Sequence, residues 1–149
     1  MIIYIASDHR GFRLKETVKA YLIRSGYTVH DLGNDHYDEN DDYPDFAIKV
    51  AEKISKDSLN NKGILLCGSG IGVDIVANKF KNVRSSLVFS PDHAYMARNH
   101  DDVNVLSLPA TYLEDEEAKK IVSVWLQTPF SSEEQYKRRL DKIKKLENY

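Results

Sequence analysis

Short apolar runs alternate with longer amphipathic stretches along the whole chain. The apolar runs are rich in β-branched residues and predict five strands, at 2–6, 27–32, 63–67, 85–89 and 103–108. The amphipathic stretches predict helices, and 113–126 is the clearest because its apolar residues recur at i, i+3, i+4, i+7 and i+8. The other helices are expected after Phe12, after Asp45 as a cap, at 71–80, after Ser90-Pro91-Asp92 and at 131–146, with a polar turn at 99–102.

Strict alternation of strands and helices is typical of a parallel sheet covered on both faces. It predicts a three-layer α/β/α sandwich with a five-stranded parallel sheet, Rossmann-like, with right-handed crossovers and a C-terminal helix. The expected strand order is 2-1-3-4-5, which puts the switch point of the topology between the first and third strands. The length predicts one domain over 1–149, since 149 residues can bury one full core.

Composition narrows the class of protein. Hydrophobic residues make up 42% and charged residues 30%, as in ordinary globular proteins, and a net charge of −2 argues against nucleic acid as the main partner. No apolar run approaches the roughly 20 residues of a membrane span, and the N-terminal stretch lacks the basic start of a signal peptide. A single cysteine forms no internal disulfide. A cytoplasmic protein without a membrane partner is therefore expected.

The stretch around the only cysteine is the strongest candidate for chemistry. Cys67 ends the third strand, and Gly68, Gly70 and Gly72 follow it around the start of the next helix. Such a turn can present backbone N–H groups to an anion, and a thiolate there could act as nucleophile or base. The spacing is neither a dinucleotide fingerprint nor a phosphate-binding P-loop. The alternative is a tight turn with a buried thiol, in which Ser69 merely caps the helix rather than donating to a reacting oxygen.

The histidines give weaker signals. Asp8 and His9 are adjacent at the expected switch point, and His9 or the neighbouring Arg10 could stabilise a thiolate at Cys67. His100 precedes the fifth strand and should lie at the opposite edge of the sheet. It either serves a neighbouring subunit's crevice or only interacts with a helix C-terminus. The remaining histidines show no metal-ligand spacing, so we predict no metal. The long acidic loop 33–44 is a solvated surface loop or a functional one.

Six segments together resemble the family of ribose-5-phosphate isomerase B and galactose-6-phosphate isomerase. They occur in the family's order and span the chain. The matching segments are Ser7–Phe12, Asp42–Pro44, Leu66–Gly72, Ala77–Lys79, Arg98–Asp102 and Asn104–Leu106.

This resemblance implies an aldose–ketose isomerase that uses an enediolate and no metal or cofactor, with ribose 5-phosphate as the expected substrate. It implies that Cys67 is the base, that Ser69 and the N–H groups of the glycine loop stabilise the enediolate, and that His100 opens the sugar ring. Further implied roles are sugar binding by Asp8 and Tyr43 and phosphate binding by His9. The family's active sites form at the interface of a homodimer, and the assembly is a dimer or a tetramer.

The chain departs from the family pattern where the phosphate is expected. Thr111 and Gln135 stand in place of two arginines, whereas Arg139 remains, and Asp101 replaces a common asparagine near the substrate. Lys137 or Arg138 could compensate, or the substrate could be less charged. The alternative function is therefore a sugar or sugar-phosphate binding relative, non-catalytic or of altered specificity, that has lost its phosphate-clamping arginines.

Overall fold

The computed structural model describes residues 1–147 as alternating strands and helices. The strands are β1 (Ile2–Ser7), β2 (Thr28–Asp31), β3 (Lys62–Cys67), β4 (Ser85–Leu87) and β5 (Val105–Pro109). The helices are α1 (Phe12–Arg24), α2 (Tyr43–Lys56), α3 (Ile71–Ala77), α4 (Pro91–Asp101), α5 (Asp115–Gln127) and α6 (Glu134–Leu146), with a short 3-10 turn at Ala110–Tyr112.

The five strands form one parallel sheet in the order β2-β1-β3-β5-β4. The predicted α/β class is confirmed, but the predicted order 2-1-3-4-5 is wrong for the last two strands. The reason lies in their side chains. β5 is buried along its whole length and needs a strand on each side, whereas β4 is only three residues long, half-buried and begins with Ser85 and Ser86, which suits an edge.

Helices cover both faces of the sheet. On one face, α1, α4 and α5 pack their apolar side chains, including the fully buried Trp125, against β1, β3 and β5. On the other face, α2 and α3 pack against the same three strands, and this second core contains Cys67. Each fully buried Leu, Ile or Val side chain in these cores contributes about 1.5–3 kcal/mol to the free energy of folding.

Three predicted boundaries need correction. Helix α2 starts at Tyr43 with Asp42 as its N-cap, because Pro44 fits the first helical turn, so Asp45 lies inside the helix. Helix α3 ends at Ala77 rather than at 80. The expected polar turn at 99–102 is the last turn of α4, and only Asp102 leaves the helix, in a left-handed conformation with φ of +46°.

Helix α6 is the least buried element. None of its side chains is fully buried among the described residues, and its main contacts are with α4. No helix within 1–147 is long and apolar enough to cross a membrane.

Candidate active site

A crevice opens at the carboxyl edge of the sheet between β1 and β3. The two strands pair with Ser7 opposite Leu66, so Asp8 and Cys67 emerge side by side. From β1 the chain continues to β2, at one end of the strand order, and from β3 it continues to β4, at the opposite end. Open α/β sheets bind ligands at such a reversal, and the switch point predicted between the first and third strands is confirmed.

The thiol of Cys67 is held within the glycine loop. The residue is 4% exposed, and the backbone N–H of Gly70 donates to its sulfur at 3.2 Å. Gly70 adopts a left-handed conformation with φ of +73°, which residues with side chains rarely take, so this turn depends on glycine. An N–H donor aimed at sulfur suits a thiolate, the form of cysteine that acts as a base.

Ser69 is half-buried and lies two residues after Cys67 and two residues before the start of α3. Its Oγ accepts a hydrogen bond from the backbone N–H of Ile71 at 3.2 Å. This bond gives Ser69 a local role at the start of α3, although the N-cap residue itself is Gly70. The bond is compatible with donation to a reacting oxygen, because a hydroxyl that accepts one bond still has its own hydrogen to donate to a ligand.

Tyr43 lies directly against the glycine loop. It begins α2 and packs its ring on Gly72 in the first turn of α3. A Cβ added to Gly72 would lie 2.6 Å from Cζ and 2.7 Å from Cε2 of Tyr43, closer than real contacts allow. Glycine at position 72 thus lets the tyrosine ring approach the loop that carries Cys67.

Asp8 is a buried carboxyl group at the crevice. The residue is 5% exposed, and its Oδ1 accepts the backbone N–H of Gly11 at 3.0 Å. Burial raises the pKa of Asp8 above its usual value of 3.8, although N–H groups of Gly11 and Arg10 and the nearby His9 oppose the rise. A carboxyl group in this setting can accept hydrogen bonds from sugar hydroxyls.

His9 is fixed by Asp41, which comes from the long acidic loop. Oδ1 of Asp41 accepts both the backbone N–H of His9 at 3.0 Å and its ring Nδ1 at 2.7 Å. Burial raises the pKa of Asp41, but the hydrogen bonds from His9 and Asn34 outweigh it, and the net pKa lies below 3.8. With Nδ1 occupied, Nε2 is the ring nitrogen of His9 left for a ligand.

A buried ion pair supports the acidic loop from below. Lys15 is completely buried on α1 and donates to both carboxylate oxygens of Asp31, at 2.8 and 2.7 Å, and to the carbonyl oxygen of Asn34. Asn34 in turn donates its side-chain amide to Oδ2 of Asp41 at 3.2 Å. The chain of contacts runs from the core through the loop to His9, which indicates that part of the loop 33–44 is a built element of the crevice.

Asp8, His9 and Asp41 are also close enough to be considered as metal ligands. One ligand atom from each lies within 4.8 Å of the others. However, the carboxylate of Asp41 already accepts two hydrogen bonds from His9, and Asp8 accepts the N–H of Gly11. These hydrogen bonds account for the geometry of the three side chains without a metal.

Three of the predicted site residues lie elsewhere. His100 and Asp101 end α4, which leads into the amino end of β5, whereas Cys67 pairs with Pro109 at the carboxyl end. The four residue steps between the ends of β5 correspond to about 13 Å. His100 therefore lies far from Cys67 of its own chain. The sequence predicted this separation, since it placed His100 at the opposite edge of the sheet.

His100 belongs instead to a stack of rings on α4 and α6. Its imidazole lies on the ring of Tyr136 with centroids 4.6 Å apart and an angle of 9°, and the guanidinium of Arg139 lies 5.6 Å from the same tyrosine ring. Tyr95 contacts His100 edge-on at 6.5 Å. The predicted site therefore falls into two parts within one chain: the crevice around Cys67 and the ring stack around His100, at opposite edges of the sheet.

A groove of about 630 Å³ lies on yet another surface, between α6 and β4. Of the predicted site residues, only Asp101 lines it. It is remote from the cysteine loop, and we do not assign the chemistry to it.

Sequence reasoning missed three contributors to these clusters. Asp41 and Asn34 were only part of a loop of uncertain role, and no spacing could pair Asp41 with His9, 32 positions away. Tyr136 had no predicted role in the site, and its stacking on His100 follows only from the packing of α6 on α4.

The sequence matches one known family over almost its whole length. The family described as Ribose/Galactose Isomerase matches residues 3–143. A probable ribose-5-phosphate isomerase B from Mycoplasma genitalium is 46% identical over 141 residues, 95% of this chain and 92% of that protein. The ribose-5-phosphate isomerase B of Mycobacterium tuberculosis is 35% identical over 141 residues, 95% of this chain and 86% of that one.

Solved structures agree with this match. The ribose-5-phosphate isomerase B of Mycoplasma genitalium with bound ribulose-5-phosphate superimposes with a TM-score of 0.96 at 45% identity, covering 99% of this chain and 96% of that one. The ribose 5-phosphate isomerase of Thermotoga maritima gives a TM-score of 0.91 at 43% identity, with 97% of each chain covered.

Proposed function

The chain belongs to the ribose/galactose isomerase family, and we propose that it interconverts ribose 5-phosphate and ribulose 5-phosphate with Cys67 as the base. The observation that carries this proposal is the position of the only cysteine. It lies buried at the carboxyl end of β3, with the N–H of Gly70 on its sulfur. A structural thiol in the core would need neither that donor nor the crevice beside it.

The proposed reaction moves one proton between neighbouring carbons. The Cys67 thiolate takes the proton from C2 of the open-chain aldose, and the C–H electrons form the C1–C2 double bond while the C1 carbonyl oxygen gains negative charge. The thiol then returns its proton to C1, and the proton of the O2 hydroxyl passes to O1, so that O1 becomes a hydroxyl and O2 becomes the ketone oxygen. The product is the ketose, and the cysteine is regenerated as thiolate.

The enediolate oxygen needs donors that are already in place. The hydroxyl of Ser69 and the free backbone N–H groups of the loop 68–72 are candidates, because Ser69 still has its hydrogen to donate. Preorganised donors of this kind contribute about 3–4 kcal/mol each to transition-state stabilisation. Asp8 and Tyr43, which flank the loop, would bind the sugar hydroxyls.

Ring opening is assigned to His100 of a second copy of the chain. Within one chain, His100 lies at the opposite edge of the sheet from Cys67. In a homodimer, the stack of His100, Tyr136 and Arg139 could face the partner's crevice and bring Arg139 toward the phosphate. A homodimer, or a tetramer built from dimers, would thus complete each site.

Exposed apolar side chains near the crevice support such an assembly. Ile71 and Ile75 project from α3, and Phe89 and Met96 from the region of α4, each with about half of its surface exposed. Exposed apolar side chains of this size commonly belong to a protein interface when they form one patch.

The second candidate function is a sugar-phosphate binding protein without turnover. It is favoured by Thr111 and Gln135, which stand where the family has arginines. The side chain of Gln135 is engaged locally, since it donates to the carboxylate of Glu133 at 3.0 Å. The presence of Cys67, Ser69 and the crevice around them argues for catalysis, because binding alone needs no base.

Proton NMR in D2O with a panel of pentose 5-phosphates, hexose 6-phosphates and the free sugars separates these functions. Carbon-bound deuterium in ribose 5-phosphate and its ketose would establish the proposed reaction. Thermal stabilisation by a sugar phosphate with no exchange in any compound would favour the binding protein instead. Exchange only with another sugar would keep the mechanism and replace the substrate.

A further inference from the structure

We propose that Arg10 binds the phosphate of the substrate and supplies a cation that the end of β5 lacks. Sequence reasoning considered Arg10 only as a neighbour of the thiol. The identity of the anion rests on the proposed function, whereas the existence of an anion-binding residue at this place does not.

The side chain of Arg10 lies across the start of the glycine loop. A Cβ added to Gly68 would lie 2.9 Å from Cδ and 3.3 Å from Nη1 of Arg10. The same Cβ would lie 3.3 Å from Oγ1 of Thr111. Arg10 and Thr111 therefore meet at Gly68, the residue directly after Cys67, and a larger residue at position 68 would displace one of them.

Among the described residues 1–147, the guanidinium of Arg10 has no partner. Arg10 is exposed, and within residues 1–147 its side chain makes no hydrogen bond or ion pair. Arg13, one turn later, donates to Asp115 at 2.8 Å, and Arg98 donates to Asp102 at 2.7 Å. A guanidinium carries five N–H donors in a planar fork that matches phosphate oxygens, and none of the residues 1–147 accepts a hydrogen bond from that of Arg10.

The surroundings of Arg10 fit a phosphate group. Thr111 is held at the loop by the bond from its backbone N–H to the carbonyl of Gly68 at 2.9 Å, and it brings a hydroxyl but no charge. His9 precedes Arg10; its Nδ1 contacts Asp41, and within residues 1–147 its Nε2 makes no hydrogen bond. Arg10, His9 and Thr111 together offer a charged fork, a ring nitrogen and a hydroxyl at one side of the crevice.

Two substitutions and a matched control test the proposal. Arg10→Gln removes the charge, Arg10→Lys keeps it without the fork, and Arg13→Gln removes a neighbouring arginine paired with Asp115 on the protein surface. We expect Arg10→Gln to raise KM for ribose 5-phosphate about 10- to 100-fold, as for loss of a hydrogen bond to a charged group, with kcat within about threefold. Arg10→Lys should recover part of the loss, and Arg13→Gln should match the wild type.

Inorganic phosphate serves as a second probe that does not depend on turnover. Titration followed by calorimetry should show binding to the wild type that is weakened about tenfold or more in Arg10→Gln and unchanged in Arg13→Gln. Equal phosphate affinity in Arg10→Gln and the wild type would overturn the proposal. So would a loss in Arg10→Gln that falls on kcat and leaves KM unchanged. If the wild type turns over no sugar phosphate, the proposed function fails, and the phosphate titration still decides the role of Arg10.

Discussion

Replacing Asp41 by asparagine should loosen His9 while leaving the fold intact. The carboxylate accepts three hydrogen bonds, from the backbone N–H of His9, from its Nδ1 and from the amide of Asn34. An amide has one acceptor oxygen, so at least one of these donors loses its partner. A hydrogen bond to a charged group contributes about 1.5–3 kcal/mol. Because His9 is 24% exposed and Asp41 only 5%, partial solvent screening places the loss near the lower end, at about 2 kcal/mol.

The loss of stability in Asp41→Asn should depend on pH, because it depends on the charge of Asp41. The folded-state pKa of Asp41 lies below 3.8, because the bonds from His9 and Asn34 outweigh the effect of burial. A carboxyl group with a lowered pKa contributes stability that is present above about pH 4 and is lost as the pH falls through its folded pKa. Urea denaturation should therefore show Asp41→Asn about 2 kcal/mol less stable than the wild type at pH 7, with the difference shrinking below pH 4.

Activity should change with stability, because His9 is proposed to contact the substrate. We expect KM for ribose 5-phosphate to rise about tenfold, the equivalent of about 1.4 kcal/mol. Glu39→Gln is the matched control, since Glu39 is exposed in the same loop and makes no hydrogen bond or ion pair within residues 1–147. If Asp41→Asn and Glu39→Gln have the same stability and the same KM, the proposed support of His9 by Asp41 is wrong.

Three further predictions concern the core, the glycine loop and the assembly. Asp31→Asn leaves the buried Lys15 with the carbonyl of Asn34 and, at 3.2 Å, the carboxylate of Glu16, and should cost about 3 kcal/mol at pH 7 by urea denaturation. Although burial raises the pKa of Asp31, the bonds from Lys15 and Lys19 bring it below 3.8, so the cost should fall as the pH drops below 4. A cost that stays constant with pH would contradict the ion pair. Gly72→Ala forces the ring of Tyr43 away from the glycine loop and should destabilise the protein by about 1–3 kcal/mol. It should also lower kcat/KM, and an unchanged kcat/KM would show that Tyr43 does not contact the substrate. The third prediction uses equal amounts of Cys67→Ala and His100→Asn that are denatured, mixed and refolded together. About a quarter of wild-type activity should be recovered, because half of the dimers are mixed and each mixed dimer has one intact site out of two. No recovery would show that His100 does not serve the partner's site.

The α/β class and the Cys67 crevice were predictable because each depends on local sequence. Strand runs, helix periodicity and the three spaced glycines specify the elements, and the alternation of strands and helices specifies a parallel sheet. The order of β4 and β5 was not predicted correctly. The polar residues Ser85 and Ser86 at the start of β4 nevertheless indicate an edge strand. The predicted order 2-1-3-4-5 was wrong because it placed the half-buried β4 inside the sheet and the fully buried β5 at its edge.

Contacts between distant positions account for what the sequence did not reveal. Asp41 meets His9 only because the ion pair of Lys15 and Asp31 and the carbonyl of Asn34 fix the acidic loop. Arg10 lies against Gly68 because the β1–α1 connection crosses the end of β3. Neither contact has a periodicity or motif that marks it in the sequence.

The most direct test of the account is deuterium incorporation by Cys67→Ala and Cys67→Ser with ribose 5-phosphate in D2O. If Cys67 is the base, both variants should fold and bind the substrate like the wild type, while carbon-bound deuterium appears about 10²- to 10⁴-fold more slowly, the usual contribution of a positioned general base. Exchange at the wild-type rate in folded Cys67→Ala would contradict the central claim and move the search for the base to another residue of the crevice.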